Sequence, residues 1–187
     1  MFEILSDPAS RIQCGNELRL KVIDGIPVIQ PGDDLGGLVS KAIKSSHEVL
    51  LSGDIIALPS KLFSRTENRF VTLQDVVVSA EADALANEVQ KDARLVQLIL
   101  DESTQVSRKC PGVLIVRHRL GHISANAGID ASNANLKGST RDSVLLLPLN
   151  PDESAKRLRV YLENEFGVRI GVVVNDSLGR PFRFGTV

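Results

Sequence analysis

With 187 residues, 43% of them hydrophobic and 24% charged, the chain has the length and composition of a folded globular protein and is too apolar to be disordered. Its 22 basic and 23 acidic residues leave a net charge of −1, which excludes the basic surplus needed to wrap a nucleic-acid backbone but not a small anionic ligand held by a local cluster. Cys14 and Cys110 stand far apart without a CxxC pair, so neither a zinc site nor a disulfide framework is indicated. No run reaches the roughly 18 apolar residues of a membrane span. The start, MFEILSDPASR, lacks a basic leader followed by an apolar run, so no signal peptide or membrane association is expected and the setting is taken as cytoplasmic.

In chain order, LRLKVIDGIPVIQPGDDL alternates at Leu18, Leu20 and Val22, which predicts a strand, broken at Gly25 and again at Pro31 and Gly32. Asp33 or Asp34 then caps a helix in which Leu35, Leu38, Val39, Ala42 and Ile43 repeat at helical spacing. Residues 55–58 of GDIIALPS predict a short buried strand stopped by Pro59, and ENRFVTLQDVVV a further extended segment. Two helices follow: one after Ser79 with Ala82, Leu85, Ala86 and Val89 on a face, and one capped by Asp92 with Leu95, Leu98 and Ile99 inward.

GVLIVRHRLGHISAN predicts a hairpin around Gly121, and SVLLLPL a buried strand. The clearest helix is NPDESAKRLRVYLENEFG. Asn150 is its cap, Pro151 occupies the first position, Asp152 and Glu153 complement the dipole, and Gly167 ends it. VRIGVVVND is apolar on both faces, which predicts a central strand. Strands and helices mix without strict alternation, and no repeat, linker or composition shift marks a boundary. The fold expected is α+β (loosely α/β), a mixed sheet packed with helices in one domain over residues 1–187.

Two stretches carry chemistry. VVVNDSLGRPFRFGTV ends an apolar strand at Val174 and delivers Asp176 and Ser177 to its tip, with Arg180 and Arg183 beyond. Strand ends are where ligands of such sheets sit. An acid beside a hydroxyl suits Mg²⁺ or Mn²⁺, and two guanidiniums suit phosphate or carboxylate. A capped turn with two surface arginines is the plainer account of that segment. RHRLGHISANAGIDASN follows a good strand with small residues around one acid, Asp130, with Gly128 permitting close approach to the backbone and Asn126, Ser132 and Asn133 adding neutral hydrogen-bonding groups. Each aspartate alone is more often a turn residue; converging, Asp130 and Asp176 would give two carboxylates for one or two divalent ions, with positions left for phosphate and water.

PSKLFSR places Ser60, Lys61 and Arg65 after a strand, suited to phosphate or to solvent. His118 and His122 flank Gly121 on a hairpin, so surface or cross-strand histidines explain them better than a metal. Neither GxxxxGK[ST] nor GxGxxG is present.

The stretches GIPVIQPGDDL, GDIIALPSKLFSR, DARLVQLILDES, PGVLIVRHRLGHISANAGIDASN, LLLPLNPDESAKRLR and VNDSLGRPFRFG resemble, in this order, the successive motifs of the coenzyme F420-0:L-glutamate ligase (F420-0:gamma-glutamyl ligase) family, from about Gly25 to the C-terminus. The resemblance implies a GTP- and divalent-metal-dependent ligase that joins L-glutamate to coenzyme F420-0 through an acyl phosphate, releasing GDP and phosphate. It implies Mg²⁺ or Mn²⁺ as cofactor, K⁺ as a further candidate ion, GTP as co-substrate and an intertwined homodimer.

By the same resemblance, Asp130, Asp176 and Ser177 correspond to the metal ligands and Asn133 to a nucleotide-contacting asparagine. Ile26, Pro27, Val28 and Ile29 match a backbone segment lining the nucleotide. Ser60 and Lys61 match a Ser-Thr-like pair, and Arg65 stands where the family usually has lysine, preserving charge but not geometry. Arg180 and Arg183 are assigned as the catalytic cations. Family members continue past GRPFRFG, so the chain is expected to lack the family's C-terminal part, as a truncated piece, one half of a split gene whose partner segment is missing, or a shortened relative. Two other readings use the same residues: a non-catalytic or partner-dependent module binding nucleotide or deazaflavin, and a metal-dependent phosphate-ester enzyme.

Overall fold

The computed structural model describes residues 18–131 and 142–177. Its first regular element is α1, Leu35–Ser45, where the Asp34 carboxylate accepts from Gly37 N–H and caps the helix. Strand β1, Ile55–Pro59, runs directly into the short helix α2, Ser60–Thr66. Strand β2, Phe70–Thr72, leads through a 3₁₀ turn to α3, Ala80–Val89, and α4, Ala93–Asp101, capped by Ser79 and Asp92 as their sequences predict. The remaining elements are β3, Ser103–Cys110; β4, Val113–His118; β5, Ile123–Ala125; β6, Ser143–Leu145; α5, Pro151–Phe166; and β7, Gly171–Asn175. Helix α5 begins with the Asn150 side chain accepting from Glu153 N–H and ends at Gly167, whose φ of 67° releases the chain from the helix.

The α+β expectation holds, with the strands divided among three small sheets: β1 with β7 in parallel, β2 with β6 antiparallel, and β3–β4–β5 as an antiparallel meander. One hydrophobic core joins Leu35, Val39 and Ile43 of α1 to Phe63 of α2, Leu158 and Leu162 of α5, and Leu58 of β1. A second joins Ala82, Ala86 and Val89 of α3 to Val96 and Ile99 of α4 and Leu114 and Val116 of β4. A third, smaller group unites Leu98 with Val144 and Leu146, drawing β6 against α4.

Three predicted strands differ from what is found. Residues 18–30 carry no regular secondary structure, and Leu18 is 83% exposed; alternation proposes a strand, but a ladder partner is needed to make one. Strand β1 buries only Leu58, with Ile55 67% exposed. Strand β7, expected to be central, pairs among the described residues with β1 alone and leaves Val173 46% exposed. Its apolar character on both faces serves one packed face, not two. The predicted hairpin around Gly121 is present as β4–β5, and of the SVLLLPL run three residues, Ser143–Leu145, form strand while Leu146 and Leu147 continue buried beyond it.

Candidate functional site

The parallel register of β1 and β7 sets Pro59 beside Asn175. The residues that follow, Ser60 and Lys61 on one strand and Asp176 and Ser177 on the other, therefore leave the sheet at the same end. Opposite them runs the turn at 126–128, then Asp130, whose backbone makes an antiparallel bridge to Leu145: each residue's N–H donates to the other's carbonyl at 2.9 Å. Together these segments enclose a cleft of about 480 Å³ lined by Ser60, Lys61, Ser64, Gly128, Asp130, Leu145 to Leu147, Asp176 and Ser177. A smaller cavity of about 200 Å³ among α1, α2 and α5, lined by Asp34, Phe63, Glu67, Arg157 and Tyr161, holds none of the predicted site residues.

The turn before Asp130 explains the small residues there. Asn126, Ala127 and Gly128 all take positive φ, 50°, 54° and 69°. A left-handed run is costly for residues with a Cβ and is kept where the surroundings enforce it. Ala127 is fully buried in the core of α3, α4 and β4, so nothing larger fits. A Cβ on Gly128 would stand 2.8 Å from Leu147 Cδ1 and 3.1 Å from its Cγ. Gly128→Ala is accordingly expected to destabilise the chain by about 1–3 kcal/mol through strain and overlap, read as a lowered urea midpoint.

Lys61 Nζ lies 2.5 Å from Asp130 Oδ2, both side chains partly exposed in the cleft. Asp176 is exposed and accepts from Ser177 N–H at 3.0 Å. Two carboxylates and a hydroxyl on one cleft are a hard-oxygen set that fits Mg²⁺ or Mn²⁺ when phosphate oxygens and water complete the shell. Among the described residues no group of three or more His, Cys, Asp or Glu is placed to hold a metal by protein ligands alone.

Beneath the cleft lies a polar cluster that sequence reading missed. Glu102, at the end of α4, is buried and takes Arg69 Nη2 on Oε1 at 2.6 Å and Arg119 Nε on Oε2 at 3.0 Å. Arg69 also donates to Leu147 O at 2.9 Å, and Arg119 to Leu149 O at 2.8 Å, so the cluster grips the segment after β6. His118, buried, accepts from Leu120 N–H on Nδ1 at 3.0 Å and presents Nε2 to Glu102 Oε2 at 3.4 Å, long for a hydrogen bond. Burial pushes the Glu102 carboxyl up, but His118, Arg69 and Arg119 outweigh it and hold it at about 2.

The His118 ring stacks on His122, centroids 4.8 Å apart, so the cross-strand reading of this pair is right and His118 is not a surface residue. Burial, then His118, lowers the His122 pKa, with Asp176 acting in the opposite direction. No local pattern in LILDES marks Glu102 as the hub, because its partners come from two distant segments, Arg69 and the adjacent pair His118 and Arg119.

Other predicted residues fall elsewhere. Ile29 is buried in the core of α1, α2, α5 and β1, with Ile26 packed against it, while Val28 is 72% exposed and Pro27 exposed, so the 26–29 segment does not line the cleft. Arg65 likewise does not line it; its guanidinium lies 5.7 Å from the centre of the Phe70 ring. Asn133, Arg180 and Arg183, with Ser132, lie outside the described residues.

Fold and cleft together define an α+β protein with a cleft that gathers acids, hydroxyls and a lysine from separate strand ends. Residues 25–187 match the profile of the F420-0:Gamma-glutamyl ligase family, and the chain belongs to that family. It is 35% identical over 165 residues to the coenzyme F420:L-glutamate ligase of Methanothermobacter thermautotrophicus, covering 88% of this chain and 64% of the relative. The enzymes of the same name from Archaeoglobus fulgidus and Methanocaldococcus jannaschii are 37% and 39% identical, over 88% and 87% of this chain and 62% and 61% of theirs. The chain thus spans less than two thirds of the length of these relatives. Among the described residues no helix is long and apolar enough to cross a membrane.

Proposed function

We propose that this chain carries the metal and nucleotide portion of a GTP-dependent ligase that joins L-glutamate to coenzyme F420-0. Family membership supports the reaction class. The observation that carries the assignment to this cleft is the convergence of Ser60–Lys61, Asp130 and Asp176–Ser177, three separated stretches, on one cleft. In this reading Asp130, Asp176 and Ser177 hold Mg²⁺ or Mn²⁺, which supplies charge neutralisation at the phosphates when bound. Ser60 and Lys61, on the same wall as Asp176 and Ser177 and across from Asp130, face the phosphates, and the 126–130 turn keeps room beside the backbone.

The acceptor carboxylate oxygen of coenzyme F420-0 attacks the γ-phosphorus, the bond to the β–γ bridging oxygen breaks, and GDP leaves. The glutamate amine then attacks the acyl phosphate, an amide forms, phosphate departs and the amine proton passes to solvent. Such a sequence asks for positioning and charge more than for a protein nucleophile. Arg180 and Arg183 follow β7 in sequence and are proposed as the cations on the transferred phosphoryl group, Asn133 as a nucleotide contact, and a homodimer as the assembly.

The test is GDP release. Release that requires glutamate and coenzyme F420-0 together, with Mg²⁺ or Mn²⁺, is the expected result; release without glutamate would replace the ligase by a phosphate-ester enzyme. The second reading on the same residues is a binding module of this fold that needs a partner for turnover. Metal-dependent GTP binding without turnover selects it.

A further inference from the structure

Lys61 and Asp130 face each other across the cleft with Nζ 2.5 Å from Oδ2, yet the two are held very differently. Asp130 is fixed by its backbone bridge to Leu145 and by the left-handed turn before it. Lys61 sits in the first turn of α2 at the end of a long, partly exposed side chain that can move without disturbing the helix. Its ammonium therefore stands against a carboxylate that the site reading above assigns to a divalent ion.

We propose that Lys61 is a stand-in cation. It neutralises Asp130 while the cleft is empty, is displaced when a divalent ion arrives, and then turns to the phosphates that the ion brings with it. This rests on the reading of Asp130 as a metal ligand. The physical basis is competition: a cation already paired with a carboxylate opposes the binding of a second one, and the pair must be broken first. The arrangement would also make free metal bind weakly and metal bound to nucleotide bind well, since only the nucleotide gives the displaced ammonium a new partner. No bond is made or broken in the exchange; one ion pair is traded for another.

The experiment measures Mn²⁺ binding to the purified chain without nucleotide, from the free-ion electron paramagnetic resonance signal, and GTP binding in Mg²⁺ by calorimetry. Lys61→Met and Lys61→Gln both remove the charge and keep most of the stem. Both are expected to bind Mn²⁺ up to about fivefold more tightly than the parent chain, and GTP in Mg²⁺ more weakly. Asp130→Asn, alone or with Lys61→Met, is expected to lose the Mn²⁺ site.

Opposite movement of the two affinities is the signature that a merely structural ion pair would not give. If Mn²⁺ affinity is unchanged or weaker in both Lys61 variants while Asp130→Asn still weakens it, the stand-in role is overturned and the metal reading survives. If Asp130→Asn leaves Mn²⁺ binding unchanged, both fall. Tighter Mn²⁺ with unchanged GTP affinity overturns the transfer to phosphate.

Discussion

Asp130→Asn and Asp176→Asn are each expected to lower GTP affinity in the presence of Mn²⁺ by about 100-fold or more, with little change in folding stability. Each substitution removes the charge that a divalent ion needs while keeping size and a polar oxygen. The stability side follows from where the side chains are. The bridge of Asp130 to Leu145 uses backbone atoms only, and its ion pair with Lys61 is partly solvated. Pairs of that kind contribute about 1 kcal/mol or less. Asp176 is exposed and its side chain accepts one local N–H, which asparagine can also accept. Calorimetric titration of GTP with and without Mn²⁺, beside urea unfolding of the same samples, separates the two effects. A variant that unfolds but keeps its GTP affinity would show that the acid is structural and that the site lies elsewhere.

The largest stability effect is expected away from the cleft lining, at Glu102. Glu102→Gln should cost about 3 kcal/mol, the scale for removing one partner of a buried ion pair. Glutamine cannot balance Arg69, whose side chain is 16% exposed, and leaves Arg119 with only carbonyl partners. The loss should reach the cleft, because Arg69 also holds Leu147, which packs on Gly128. A weaker, temperature-sensitive GTP affinity is therefore expected beside the lower urea midpoint. An unchanged midpoint would reduce the cluster to surface decoration.

The same residue sets an acid limit. The Glu102 carboxyl ionises at about 2 in the folded chain against 4.5 as an ordinary glutamate, so folding favours its charged form. Its contribution is whole above pH 4.5, declines as the pH falls below that value, and is lost as the pH passes through about 2. The Gln variant should lack this part of the acid dependence.

What the sequence alone determined is the local structure with local causes. Caps at Asp34, Ser79, Asp92 and Asn150, the stop at Gly167 and the turn at Gly121 were legible because the partner of each signal lies within a few residues. The aspartates at 130 and 176 were legible as candidates, since an acid after a strand among small or turn residues is visible in any reading, and family resemblance gave them roles.

What only the tertiary structure decided depends on contacts across distance in the chain. Among the described residues 18–22 have no ladder partner and β7 pairs with β1 alone, because pairing across the chain, not composition, makes a strand and makes it central. The parallel register of β1 on β7 brings Lys61 near Asp176, residues more than a hundred positions apart. The pairing of Lys61 with Asp130, the core burial of Ala127 and the approach of Leu147 to Gly128 that keep the turn small, and the burial of Glu102 among Arg69, Arg119 and His118 are likewise long-range facts. Electrostatics and packing act between neighbours in space, and a sequence orders neighbours only along the chain.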